Sequence, residues 1–245
     1  MFLSTPGGNG HQVNLFVNTL RSRFSSVEFL LPFMAMSAGT LWALSGDRIW
    51  MDSRAFLGPI DPQVPLRDGR FVPAQSLLLL LEQVKNEGEA AIRSGAPVPW
   101  HLIAILNGID KKELGDAIVA SKYYITMAAE FLEKYKFAIW ATHKSTGAPV
   151  TPEDRKQRAL EVAALLGSTE RWKAHGHAIT RQVAWDELRI HIDHPETVPG
   201  LERAMRRMWA LCHWTFDNTP AVKVMLSQKY AFVRQVALQP AVVPA

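Results

Sequence analysis

Three observations predict an α/β fold. Two short apolar segments, Met1-Phe2-Leu3 and Val27-Glu28-Phe29-Leu30-Leu31-Pro32, have the length of buried strands, and Pro32 stops the second. Each runs into a turn of small residues and then into a helical pattern. From about residue 73 the texture becomes helical. The reading is therefore an α/β core over residues 1–72 and a helical region over residues 73–245 that completes the core and carries subunit contacts.

The elements follow in order. Ser4-Thr5-Pro6-Gly7-Gly8-Asn9-Gly10 is a glycine turn, and His11–Phe24 places Val13, Leu15, Phe16, Val17, Leu20 and Phe24 at nearly helical spacing. Gly-x-Gly-x-x-Gly fails because Val13 holds the third glycine's place, and no Gly-Lys-Ser/Thr is present, so nucleotide readings of this turn are poor. The second turn, Ala35-Met36-Ser37-Ala38-Gly39, is close to the G-x-S-x-G elbow, with Ala in place of the first Gly. Asp47–Met51 alternates and suits a strand, with Asp52-Ser53-Arg54 as its turn. Gly58-Pro59-Ile60-Asp61-Pro62-Gln63 has two prolines and a glycine and reads as a rigid extended loop.

Helices are expected over Pro73–Ile92, His101–Leu106, Lys111–Ala141 with Asp110 as cap, and Glu153–Leu166, with Thr142–Pro152 a surface loop. A turn at Ala174-His175-Gly176-His177 precedes a helix starting at Thr180. Leu201–Val236 reads as amphipathic, with Met205, Met208, Trp209, Leu211, Trp214 and Phe216 on one side. That stripe and the run Leu77 to Leu81 suit core or subunit contact.

The chemistry centres on Ser37. At a strand-to-helix turn a hydroxyl has free backbone N–H groups beside it, which can hold an oxyanion. Such a serine is also a common helix N-cap. Two parallel strands ending at one sheet edge bring the Gly7-Gly8 amides next to it. A nucleophilic serine needs a base. Lys122, among Ala117, Ile118, Val119, Tyr123, Tyr124 and Ile125, has apolar sequence neighbours that would lower an ammonium pKa; Lys85 is the second choice, and a histidine with an aspartate is the other arrangement. Asp61 either braces its loop or orients a catalytic group. His175-Gly176-His177 and Ile190-His191-Ile192-Asp193-His194 have spacings compatible with a metal, but no familiar ligand set is completed, and no metal and no cofactor are expected. The stretch Ile190-His191-Ile192-Asp193-His194-Pro195 also offers a His–Asp pair in the Ser…Asp…His order of α/β-hydrolases, a fold disfavoured because it needs several parallel strands after the serine and only one is clear.

The order TPGG, AMSAGT, SGDRIWMD, LGPIDPQ resembles the Clp-fold serine proteinases of the SppA and ClpP type, most closely the SDH family, the serine dehydrogenase proteinases. The similarity is clearest over residues 1–63 and returns weakly around AHGHAITR and HWTFDNTPAVK. It implies a ClpP/crotonase-type spiral of ββα units, a Ser37 nucleophile in a Ser-Lys dyad with Lys122, and an oxyanion hole from the Gly7, Gly8 and Ala38 amides. It also implies a substrate-binding loop at Gly58, Pro59, Ile60 and Asp61, where an extended backbone pairs with a peptide. Relatives of this kind carry strands before their TPGG turn, so the resemblance implies a shortened form.

Composition sets the limits. The 245 residues, 48% hydrophobic and 20% charged, can bury a sizeable core. A formal charge of +4 with dispersed basic residues argues against nucleic acid as partner. The single Cys212 excludes an internal disulfide and points to a reducing compartment. No secretory leader and no run of membrane-spanning length is seen. The expected protein is a cytoplasmic serine endopeptidase acting on a peptide or protein, self-associating into a homo-oligomer, with peripheral membrane association left open. The alternative is a non-catalytic Clp-fold scaffold or a crotonase-fold acyl-binding protein.

Overall fold

A computed structural model describes residues 1–143 and 145–236. The chain divides into two compact units, residues 1–194 and the residues from Pro195 onward. The first opens with α1 (Gly10–Arg21), β1 (Glu28–Leu31), β2 (Met34–Ala35), α2 (Ala38–Leu44), β3 (Arg48–Met51) and β4 (Phe56–Leu57). It continues with β5 (Gln63–Pro65), β6 (Phe71–Pro73), α3 (Ala74–Arg93), α4 (Trp100–Gly108) and α5 (Lys111–Phe131). It closes with α6 (Pro152–Leu166), α7 (Thr169–Trp172), β7 (Ile179–Thr180) and α8 (Arg181–Asp186).

A short parallel sheet positions everything else. Phe2 bridges Leu30 and Thr5 bridges Ala35, both in parallel, so the N-terminal segment runs alongside β1 and β2. β1 pairs in parallel with β3 and β2 in parallel with β4, in matching register. Pro32, which has no N–H to donate, sits in the break between β1 and β2. β7 then joins β4 in antiparallel sense. Phe29, Leu31, Ile49, Met51 and Leu57 are fully buried and form the centre of the core, with Leu41 and Leu44 of α2 and Leu132, Val162 and Leu166 from the later helices. The arrangement is mixed α/β, as the sequence predicts.

The helices begin where the caps say they should. Asn9 Oδ1 accepts from His11 N at 2.9 Å, Asp110 accepts from Lys112 N and Glu113 N, and Thr151 with Asp154 forms a reciprocal capping box. The run Leu77 to Leu81 on α3 is half-buried, and Leu77 joins a small satellite cluster with Val64, Ala74 and Ala117. Among the described residues no helix is long and apolar enough to cross a membrane.

Three elements differ from the sequence expectation. The helix expected to reach Ala141 stops being α-helical at Phe131 and continues as one π-helical turn, Leu132–Lys136, closed by Phe137 N donating to Leu132 O at 2.7 Å. Residues 63–73 fold into a β5–β6 hairpin whose turn needs Gly69 at φ +81°. In the second unit, α9 (Leu201–Asn218) ends just before Pro220, and residues expected to prolong it form the antiparallel hairpin of β8 (Ala221–Leu226) and β9 (Ala231–Gln235). Pro220 disfavours helix at Thr219, and Val222 and Val224 favour a strand.

One buried hydroxyl ties the start of α2 to the loop after β4. Thr40 Oγ1 accepts from Gly58 N at 2.9 Å and lies 2.7 Å from Ala35 O and 2.9 Å from Gly58 O, with its single proton directed to one of these carbonyls. Thr40→Val keeps the shape and orphans the buried Gly58 N–H. Denaturant unfolding should show a loss of about 2–3 kcal/mol; a change within about 0.5 kcal/mol would mean the tie carries little.

Candidate active site

Ser37 is built as a corner. It lies one residue beyond β2 and immediately precedes α2, with φ +50° and ψ −115°, a conformation that costs a non-glycine residue about 1–3 kcal/mol. It is not an N-cap in the usual sense, because its side chain makes no hydrogen bond to the helix start. The turn is closed by Gly39 N donating to Met36 O at 2.7 Å, and a Cβ on Gly39 would run into Thr5 Cγ2. Glycine at position 39 is thus required by contact with the N-terminal segment.

The glycine corner meets the serine corner. Gly7 has φ +113°, and a Cβ there would stand 2.9 Å from Met36 O and 3.0 Å from Ser37 Cβ, so any side chain would push the two turns apart. Gly7 N–H is spent on Thr5 Oγ1 at 3.1 Å. Gly8 N–H donates to no group among the described residues, and Ala38 N–H, the first of α2, has no acceptor within the helix.

The third approach to this edge comes from β4 and β7. The chain leaves β4 through Gly58-Pro59-Ile60-Asp61, all buried, and a Cβ on Gly58 would lie 3.3 Å from Met36 Cα. Gly58 N is held by Thr40 Oγ1, and Ile60 N donates to Leu166 O at 3.0 Å. The sequence expectation gives this loop's backbone to a peptide; two of its amide donors, Gly58 N and Ile60 N, are used within the chain and brace it. Because β7 is antiparallel to β4, the residues entering β7 arrive where the chain leaves β4. Among them is His175. Its Nδ1 lies 2.9 Å from Asp61 Oδ1, and Asp61 is only 2% exposed.

The sequence does not join this carboxylate to this imidazole: His175 reads there as part of a turn and of a metal-compatible His-x-His spacing, and Asp61 as a loop brace or an orienting group. Asp61 raises the pKa of His175 above the ordinary value, through the hydrogen bond first, against an opposing desolvation. With Nδ1–H donating to the carboxylate, Nε2 carries the lone pair. Asp61 Oδ2 is buried with no hydrogen-bond partner in the described structure.

The expected lysines lie differently. Lys122 is exposed on α5, so this chain does not strip water from its ammonium. Its neighbours do reach the glycine corner: Tyr124 Oη accepts from Gly10 N at 3.2 Å, and Tyr123 stacks on His11 at 4.7 Å. Lys85 is exposed on α3 and faces Glu89 at 3.8 Å. Among the described residues no group of three or more His, Cys, Asp or Glu is placed to hold a metal ion.

A strained serine at a strand-to-helix corner, beside unspent amides, is the general layout of a nucleophilic serine hydrolase. Residues 1–92 match the family model described as ClpP-like SDH-type serine proteinase, the family the sequence resembles. Two uncharacterized proteins of Methanocaldococcus jannaschii are similar to this chain. Each is 30% identical over 168 residues, which cover 66% of this chain and 52% and 51% of the two relatives. The chain therefore spans about half the length of the curated relatives it matches. No solved structure matches.

The Asp61–His175 contact makes a measurable prediction. Asp61→Asn should lower the His175 pKa, followed through its ring-proton chemical shifts by NMR; an unchanged titration would mean that the two groups do not interact.

Proposed function

We propose that the protein is a serine peptidase in which Ser37 is the nucleophile, His175 the general base and Asp61 the group that orients it. Ser37 Oγ attacks a peptide carbonyl carbon while His175 Nε2 takes the hydroxyl proton, and the oxyanion is held by the Gly8 and Ala38 amides. His175 then returns the proton to the leaving amine, and water releases the acyl group by the reverse route. Gly7 contributes shape, since its own amide is occupied by Thr5. The observation that carries this reading is the left-handed conformation of Ser37, held against Gly7 with its hydroxyl uninvolved in capping.

The second reading keeps Ser37 and makes Lys122 the base in a Ser-Lys dyad. What favours it is that the residues beside Lys122 pack on Gly10 and His11, next to the glycine corner. What weighs against it is exposure, which leaves the ammonium hydrated. A non-catalytic scaffold would have no use for a strained serine. Self-association belongs to the same reading and is supported by exposed Leu226, Tyr230 and Phe232 on the β8–β9 hairpin. The spiral of ββα units is proposed with it.

A fluorophosphonate probe should label the wild type and leave Ser37→Ala unlabelled. Peptide hydrolysis by His175→Ala should fall about 10⁴-fold or more, while Lys122→Ala stays within about threefold. The opposite pattern would establish the Ser-Lys dyad, and a loss in neither would remove both.

The pH profile follows from the sign of the shift. The base works only when neutral, so kcat/KM should rise as pH climbs through a His175 pKa lying above the ordinary value of about 6.5. Asp61→Asn should move that limb to lower pH; a limb that stays in place would contradict the assignment.

A further inference from the structure

We infer that Lys136 and the pocket it lines form a second binding site, separate from the serine corner, for a carboxylate with an apolar body. The pocket has a volume of about 660 Å³, within the usual range for small-molecule sites. Phe137, Trp140 and Trp185 supply ring surface, and Arg158 and Arg189 also contribute to its walls.

Lys136 is the feature that needs explaining. It is 4% exposed, and its ammonium has no hydrogen bond and no carboxylate within ion-pair distance among the described residues. An ammonium this largely withdrawn from water, facing only the pocket and held by no carboxylate, is costly to keep charged. Burial pulls its pKa down to about 8, against the opposing pull of Asp193, Asp47 and Glu28 and with the assistance of Arg48. Those carboxylates act at a distance, and none closes on the amine. The residue ends the single π-helical turn of the chain's described part, Leu132–Lys136, a distortion often found at functional sites.

The head group follows from the donors still to be used. Arg158 is committed to Glu161 at 3.0 Å and to Leu188 O at 2.8 Å. Arg189, itself at φ +52°, carries its guanidinium 6.0 Å from the Trp185 ring centroid. Lys136 is thus the buried cation left for a ligand. One buried ammonium with carboxylates only at a distance suits a negatively charged head group. The aromatic walls then select an apolar body.

The position is far from Ser37. Of the charges that act on Lys136, Glu28, Asp47 and Arg48 lie at the starts of β1 and β3 and Asp193 pairs beside Trp50 within β3, whereas Ser37 lies beyond the end of β2.

Isothermal titration of the full chain with octanoate, 1-octanol and octylamine tests the site. Octanoate should bind once per chain, Lys136→Met should weaken it about tenfold or more, and 1-octanol should be nearly indifferent to that change. Trp140→Ala should weaken octanoate and 1-octanol together, and Ser37→Ala should leave octanoate binding intact. Absence of octanoate binding to the wild type, or equal binding to Lys136→Met, would overturn the inference. Should Lys136→Met fail to fold, the wild type alone decides: octylamine binding as tightly as octanoate would also overturn it.

Discussion

The structure depends on a close approach between two turns. Ser37 stands in a backbone conformation that L-residues avoid, and it stays there because its surroundings leave no alternative. Gly7 presses against it from the N-terminal glycine turn, where only a glycine fits. Thr40 holds the start of α2 to the loop after β4, and Gly39 clears Thr5. Strain of about 1–3 kcal/mol is small against the core that holds it, in which Phe29, Leu31, Ile49 and Met51 are fully buried. The corner is therefore a rigid part of the fold, as a pre-organised nucleophile requires.

The same sheet edge gathers the polar groups. Ser37 leaves β2, Asp61 follows β4 and His175 precedes the antiparallel β7, so strand direction alone sends all three to one side. Buried Asp61 gains its direct partner in His175. Lys136 lies near charges at the starts of β1 and β3, Glu28, Asp47 and Arg48, and near Asp193 beside Trp50.

Local chemistry made much of this legible. Proline and glycine placed the turns, capping residues placed the helices, and the small residues around Ser37 marked the corner. Contacts distant in sequence were not legible. Asp61 and His175 are separated by 114 residues, and nothing in either stretch names the other. The apolar letters around Lys122 were read as burial, but a helix alternates its faces, and Ser121 is buried while Lys122 is exposed. The π turn has no compositional mark, since it differs from the α-helix only in which carbonyl each amide meets. Beyond Pro220 the amphipathic pattern continued across a change of period, and the hairpin there was hidden by it. Asp68-Gly69 in the β5–β6 turn was a readable signal that went unused.

The central claim is that a serine held in strain by a glycine corner is activated by an imidazole from the far part of the chain. Mass-spectrometric mapping of a peptidyl phosphonate adduct tests it most directly. The adduct should fall on the peptide containing Ser37 and form far more slowly in His175→Ala. An adduct on another residue, or one formed at the wild-type rate without His175, would contradict it.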